Sequence, residues 1–93
     1  MKHVILYTMD GCPHCKNLKK ILNEKNINVD VRNIKDYEEE YQVFVEATES
    51  EFLPAFTFVE TFEDEEPNVR LLVPDEDFNS VQEASEIIEN FLL

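Results

Sequence analysis

The only two cysteines of the chain, Cys12 and Cys15, are separated by Pro13 and His14. They follow a short apolar run, His3-Val4-Ile5-Leu6-Tyr7, and precede a stretch of helical period. A Cys-x-x-Cys that leaves a strand and opens a helix reads as a redox pair. With Cys12 at the N-cap, Pro13 falls at the first helical position, where a missing N–H costs nothing. Cys15 is then the third helical residue, and its amide can point back at the Cys12 sulfur. The helix dipole adds partial positive charge at that spot. These features favour a thiolate, which makes Cys12 the expected nucleophile and Cys15, one turn on and facing inward, the resolving thiol. A structural zinc site takes four protein ligands, and His3 and His14 are the only other soft donors, so no metal is expected. A static disulfide across so short a loop would constrain little of the unfolded chain.

The sequence has 93 residues, enough for one small domain with one core, so residues 1–93 are read as a single unit. Seven phenylalanines and three tyrosines argue against disorder, and one glycine and four prolines leave no flexible linker. No apolar run is long enough to span a membrane. The first residues lack a signal-peptide cleavage pattern, so a cytoplasmic location is expected, where a cysteine pair is catalytic more often than structural. The net charge of −13 is unevenly placed: seven Lys/Arg face three Asp/Glu over residues 1–35, and one Arg faces eighteen Asp/Glu over residues 36–93. Such a chain is not expected to bind nucleic acid or an anionic membrane, and favours a basic partner.

Val4 to Tyr7 reads as a central strand buried on both faces, and Gly11 allows the turn into a helix over Pro13–Lys25. Cys15, Leu18, Ile21 and Leu22 share the apolar face of that helix, opposite Lys16, Lys19, Lys20 and Lys25. Lys16 and Lys19 flank the cysteine pair and add positive potential. Ile27, Val29 and Val31 alternate with polar residues as a second strand, parallel to the first through a right-handed crossover. Asp36 and Glu39 form a capping box for the next helix, with Tyr37, Tyr41, Phe44, Val45 and Thr48 on its buried side and Glu38, Glu39, Glu40, Glu46 and Glu49 facing water. Ala55–Val59 is a strand entered through Pro54; from the residues alone, a trans Leu53–Pro54 bond is the default. An acidic turn joins it to a fourth strand, Val69–Val73. Ser80 and Glu83 then cap an amphipathic final helix carrying Val81, Ala84, Ile87, Ile88, Phe91 and Leu92.

The order β-α-β-α-β-β-α, with Cys-x-x-Cys after the first strand and Pro before the third, resembles the minimal thioredoxin fold, an α/β architecture with a four-stranded mixed sheet flanked by three helices. The similarity is to the dithiol glutaredoxins and covers nearly the whole chain. Tyr7-Thr8 followed by Cys12-Pro13-His14-Cys15 resembles that family's Tyr-Ser/Thr-Lys-x-x-Cys-Pro-Tyr-Cys, and Leu53-Pro54 resembles its Val-Pro dipeptide. The resemblance implies a thiol–disulfide oxidoreductase in which Cys12 attacks a substrate disulfide and Cys15 resolves the mixed disulfide. It also implies a cis Pro54 packed against the pair, with the Leu53 backbone pairing with the substrate. His14 replaces the usual tyrosine; Cys-Pro-His-Cys also occurs in strongly oxidising periplasmic members of the wider fold, so His14 and Pro13 are expected to tune the pair.

The other residues that the resemblance assigns to substrate binding are Tyr7, Met9, Lys16, Asp75 and Asp77. Several depart from the family pattern. Met9 stands where glutaredoxins usually carry Lys or Arg for a glutathione carboxylate. Val73-Pro74-Asp75-Glu76-Asp77 replaces Gly-Gly followed by a polar residue and Asp. Asp75 and Asp77 add negative charge where an anionic tripeptide should bind. No cofactor is expected to be bound, and glutathione is the expected co-substrate against these departures. The partners implied are disulfide-containing proteins, with ribonucleotide reductase as one example, acting on a monomer. The alternatives are a thioredoxin-like carrier reduced by a flavoprotein reductase, a non-catalytic acidic binding module on the same fold and, more weakly, a metal or iron–sulfur role.

Overall fold

A computed structural model describes all residues, 1–93. The elements are β1 (Lys2–Thr8), α1 (Pro13–Glu24), β2 (Asp30–Asn33), α2 (Glu38–Thr48), β3 (Ala55–Glu60), β4 (Asn68–Leu72) and α3 (Val81–Leu92). They make one mixed sheet of order β2-β1-β3-β4. β1 pairs in parallel with β2 and antiparallel with β3, and β3 and β4 form the hairpin. This is the α/β thioredoxin-like arrangement expected, with every element in the expected order.

Strand alternation divides the core between the two faces of the sheet. Val4, Leu6, Phe56, Phe58 and Leu72 meet Leu18 and Leu22 of α1 and Ala84 and Ile88 of α3 in the larger cluster. Tyr7, Ala55 and Val73 meet Phe44 of α2 in the smaller one. Leu6, Leu18, Phe56, Leu72 and Ile88 are fully buried, each contributing on the order of 1.5–3 kcal/mol of burial free energy. Three aromatics stiffen the larger cluster: Phe56 stacks on Phe78 at 5.1 Å and lies 5.4 Å from Phe58.

Four local expectations are corrected. The second strand starts at Asp30 rather than near Ile27, because α1 ends in a Schellman turn. Asn26 takes a left-handed φ of 58°, its amide donates to the Asn23 carbonyl, and the Ile27 amide donates to the Leu22 carbonyl. Ile27 thereby closes the helix and packs on the core. Second, Asp36 does not cap α2. The Asn33 side chain takes the Lys35 amide at 2.9 Å and the Asp36 amide donates to the Asn33 carbonyl, so a turn occupies these residues and Tyr37 becomes the N-cap, without a side-chain capping bond. Third, of the apolar side expected for α2 only Phe44 is buried; Tyr37 is exposed, with the Arg32 guanidinium 5.0 Å over its ring. Fourth, Glu40 does not face water but reaches Tyr7 and Arg32.

The capping of α3 follows expectation. Ser80 Oγ accepts from the Glu83 amide at 3.0 Å. Glu83 reaches one residue further back than a standard box and accepts from the Asn79 amide at 2.9 Å. A Ser80→Ala variant is expected to lose about 1 kcal/mol of stability, read as a lower urea midpoint with unchanged m-value; an unchanged midpoint would show that the cap contributes nothing.

Candidate active site

Cys12 closes the loop from β1 as the N-cap of α1, in extended backbone conformation (φ −98°, ψ 104°), with Pro13 following in the first turn. Gly11 makes the turn at φ 75°, a left-handed value that a residue with a Cβ adopts only under strain. The Cys15 amide donates to the Cys12 sulfur at 3.2 Å. The two cysteines form a disulfide with Cα atoms 5.3 Å apart. Cys15 is 1% exposed, whereas Cys12 is only half-buried, so an incoming sulfur reaches Cys12 first.

Two concavities flank the Cys12–Cys15 segment, one lined by Cys12 and the other by His14. On one side Met9, Gly11 and Cys12 line a depression whose cations are Lys16 and Lys19. Its one carboxylate, Asp10, accepts from Asn33 Nδ2 at 3.1 Å. On the other side a groove of about 520 Å³ runs between His14, Phe52, Leu53 and Pro54 and the loop leading into α3. The Leu53–Pro54 bond is cis, as the resemblance implied. Phe52 is 65% exposed at the rim.

Met9, Lys16, His14, Leu53, Pro54 and Asp75 therefore all line one of these two concavities. Tyr7 and Asp77, also expected at the site, line neither. Tyr7 is 3% exposed; its ring packs against Tyr41 and Phe44 and its hydroxyl donates to Glu40. Asp77 folds back on its own loop and accepts from the Val73 amide at 2.9 Å. Phe52, Phe78 and Asn79 were not among the expected site residues yet line the groove. An exposed-type aromatic directly before an X-Pro pair was the available signal for Phe52; Phe78 and Asn79 carried none.

Beneath the site, Tyr7 and Arg32 converge on the Glu40 carboxylate, and Arg32 also pairs with Asp30 at 2.8 Å. Burial, then the bond to Glu40, raises the Tyr7 phenol well above its ordinary value. Burial alone would raise Glu40 too, but the Tyr7 hydroxyl and Arg32 outweigh it and hold the carboxyl below its ordinary value. Burial, reinforced by Glu51, also raises Tyr41.

A half-buried N-cap cysteine, a buried partner one turn on and a cis-proline groove beside them define a thiol–disulfide oxidoreductase of the thioredoxin-like class. The family model described as Glutaredoxin matches residues 4–61, more than half of the chain, from within β1 through the end of β3. The chain belongs to the glutaredoxin family. No curated protein matches it. No helix is long and apolar enough to cross a membrane.

The raised tyrosines make stability fall at alkaline pH. The folded chain holds the Tyr7 proton more tightly than the unfolded chain, so this contribution is complete below the unfolded phenol value of about 10. It is lost as pH rises beyond that towards the higher folded value. Tyr7→Phe is expected to show a shallower loss of urea-unfolding free energy between pH 8 and 11 than the parent protein, with Tyr41 supplying the remainder; parallel pH profiles would contradict the assignment.

Proposed function

We propose that this protein is a dithiol glutaredoxin that reduces protein disulfides through Cys12 and Cys15. The observation that carries the reading is the Cys15 amide directed at the Cys12 sulfur at 3.2 Å, with Cys15 itself buried. In the reduced protein that amide and the α1 dipole favour the Cys12 thiolate, and Lys16 and Lys19 beside it add to the effect. The thiolate attacks one sulfur of a substrate disulfide, forming a mixed disulfide and expelling the other sulfur as a thiolate that takes up a proton. Cys15, as thiolate, then attacks the Cys12 sulfur. The mixed disulfide breaks, the second substrate thiol leaves, and the Cys12–Cys15 disulfide forms. Two electrons pass from the dithiol to the substrate.

The substrates proposed are protein disulfides, with that of a ribonucleotide reductase among those the family resemblance implies, handled by a cytoplasmic monomer. Glutathione is the proposed electron donor, two molecules resetting the pair as one glutathione disulfide leaves. His14, exposed at the mouth of the groove, is the proposed tuning residue: stabilising the thiolate favours the dithiol and makes the disulfide more oxidising. The thioredoxin-like alternative, reduction by a flavoprotein reductase, draws on Met9, which leaves the depression beside Cys12 without the cation that glutaredoxins carry at that position.

Cys12→Ser is expected to reduce disulfide turnover to background, and Cys15→Ser to accumulate a mixed disulfide visible by intact-mass measurement. Full turnover by Cys12→Ser would refute the assignment. A second assay identifies the donor. With a glutathione mixed disulfide as substrate and glutathione reductase as the coupling enzyme, saturable turnover supports glutathione. Absence of turnover there, with dithiothreitol-driven protein disulfide reduction intact, assigns the chain to a reductase-fed carrier.

A further inference from the structure

Resting on that dithiol reading, we propose that the groove beside Pro54 selects disulfides flanked by an apolar and a cationic residue and disfavours anionic ones, with Asp75 and Phe52 as the residues that set this preference.

One wall of the groove is formed by the loop into α3. Asp75 is exposed and sits at a φ of 71°, a left-handed position that glycine fills freely and that aspartate tolerates better than most side chains. The chain thus sets a carboxylate where a bare backbone would serve. The loop is tied to itself around that residue. The Asp75 amide donates to the Phe78 carbonyl at 2.8 Å and the Asp77 amide to the Val73 carbonyl at 3.1 Å.

An anionic ligand in this groove needs N–H donors, and three amides of the loop and the first turn of α3 are already taken by the chain's own side chains. The Val73 amide is taken by Asp77, the Asn79 amide by the Glu83 carboxylate and the Glu83 amide by Ser80. Glu83 places the chain's own anion where the helix dipole would otherwise attract one. No Lys or Arg lines the groove, and Asp75 is its one carboxylate. The groove offers a ligand apolar surface from Phe52, Leu53 and Pro74, and the Asp75 carboxylate is the one formal charge among its lining residues, which include the His14 imidazole. The net charge of −13 attracts the same kind of ligand over longer range. The wall that carries Asp75 lies beyond the residues matched to the family model.

The test uses short single-cysteine peptides with leucine beside the cysteine and lysine, glutamine or glutamate two residues away, each as a mixed disulfide with 2-mercaptoethanol, with dithiothreitol as the electron donor and its uncatalysed rate subtracted. The expected order of kcat/KM is lysine, glutamine, glutamate, with about fivefold between the extremes at low ionic strength and a smaller span at high salt. Asp75→Asn, which preserves the size and left-handed tolerance of the side chain, is expected to bring the lysine and glutamate peptides to within about twofold. Phe52→Ala, at an exposed site, is expected to raise KM for all three peptides about equally. A flat series in the parent protein, or a span that Asp75→Asn leaves unchanged, overturns the proposal.

Failure of the dithiol reading is read separately, as absence of turnover on the neutral disulfide of 2-mercaptoethanol. The same peptides with serine for cysteine, titrated while following the backbone amide shifts of residues 52, 53 and 75–79, test the groove without chemistry. Shifts that saturate at lower concentration for the lysine peptide support the proposal whatever the turnover, and equal titrations refute it.

Discussion

The amide of Cys15 is directed at the sulfur of Cys12, and the position of that one N–H depends on both ends of the structure. Upstream, β1 delivers the chain to Gly11, whose left-handed backbone makes the turn into Cys12. Downstream, α1 is held against the sheet by Leu18 and Leu22, which are buried with Leu6, Phe56 and Ile88. A helix that slid or rotated by a fraction of a turn would withdraw the amide from the sulfur. It would also expose Cys15, whose burial leaves Cys12 as the accessible sulfur. Packing of apolar side chains far from the sulfur atoms is thus what leaves one cysteine accessible and the other enclosed.

Much of this could be read from the residues because the signals were local and periodic. Pro13 after Cys12 marked the helix start, and the spacing of Cys15, Leu18 and Leu22 marked its buried face. Ser80 with Glu83 marked the last helix. The parts that were not legible depend on competition between neighbouring turns. Asp36 and Glu39 satisfy a capping pattern, yet Asn33 captures the Lys35 amide first and shifts the start of α2. Ile27 has the right alternation for a strand, yet it serves as the residue that closes a Schellman turn. Tyr7 shows the limit of motif reasoning at the site. Its place beside Thr8 matches the family pattern, but the side chain alternates away from α1 and is consumed by Glu40 and the aromatics of α2. Pairings such as Glu40 with both Tyr7 and Arg32 join three elements and leave no trace in any one of them.

The loop from Val73 to Ser80 joins architecture to recognition. Ser80 takes the Glu83 amide in the first turn of α3, Glu83 takes the Asn79 amide just before it, and Asp77 takes the Val73 amide, which fixes the entry to α3 and hence the packing of Ala84 and Ile88 on α1. The same bonds leave fewer donors to an anionic ligand, so the capping that serves stability also bears on what the groove can bind. Asp75 is the member of this loop whose carboxylate lines the groove, which Phe52 and Pro54 line from the opposite side.

The partition of charge along the chain has a related physical consequence. A thiolate is a poor fit to a protein of net charge −13, because each nearby carboxylate raises the cost of ionising a thiol. The chain meets this by placing its carboxylates away from the sulfur. Eighteen of the twenty-one lie in residues 36–93, and the first helix carries Lys16, Lys19 and Lys20. The one carboxylate that lines the depression at Cys12, Asp10, is engaged by the Asn33 amide group, and Asp75 lines the groove with His14 rather than the depression with Cys12. Over distances longer than the Debye length of about 8 Å at physiological ionic strength, the remaining acidic surface is screened from the sulfur. On a large cationic ligand, which presents many charges at once, it would still act. The fold therefore keeps a locally positive environment around Cys12 inside a globally negative protein, and under the proposed function the two fields would serve different steps, ionisation of Cys12 and the approach of a substrate.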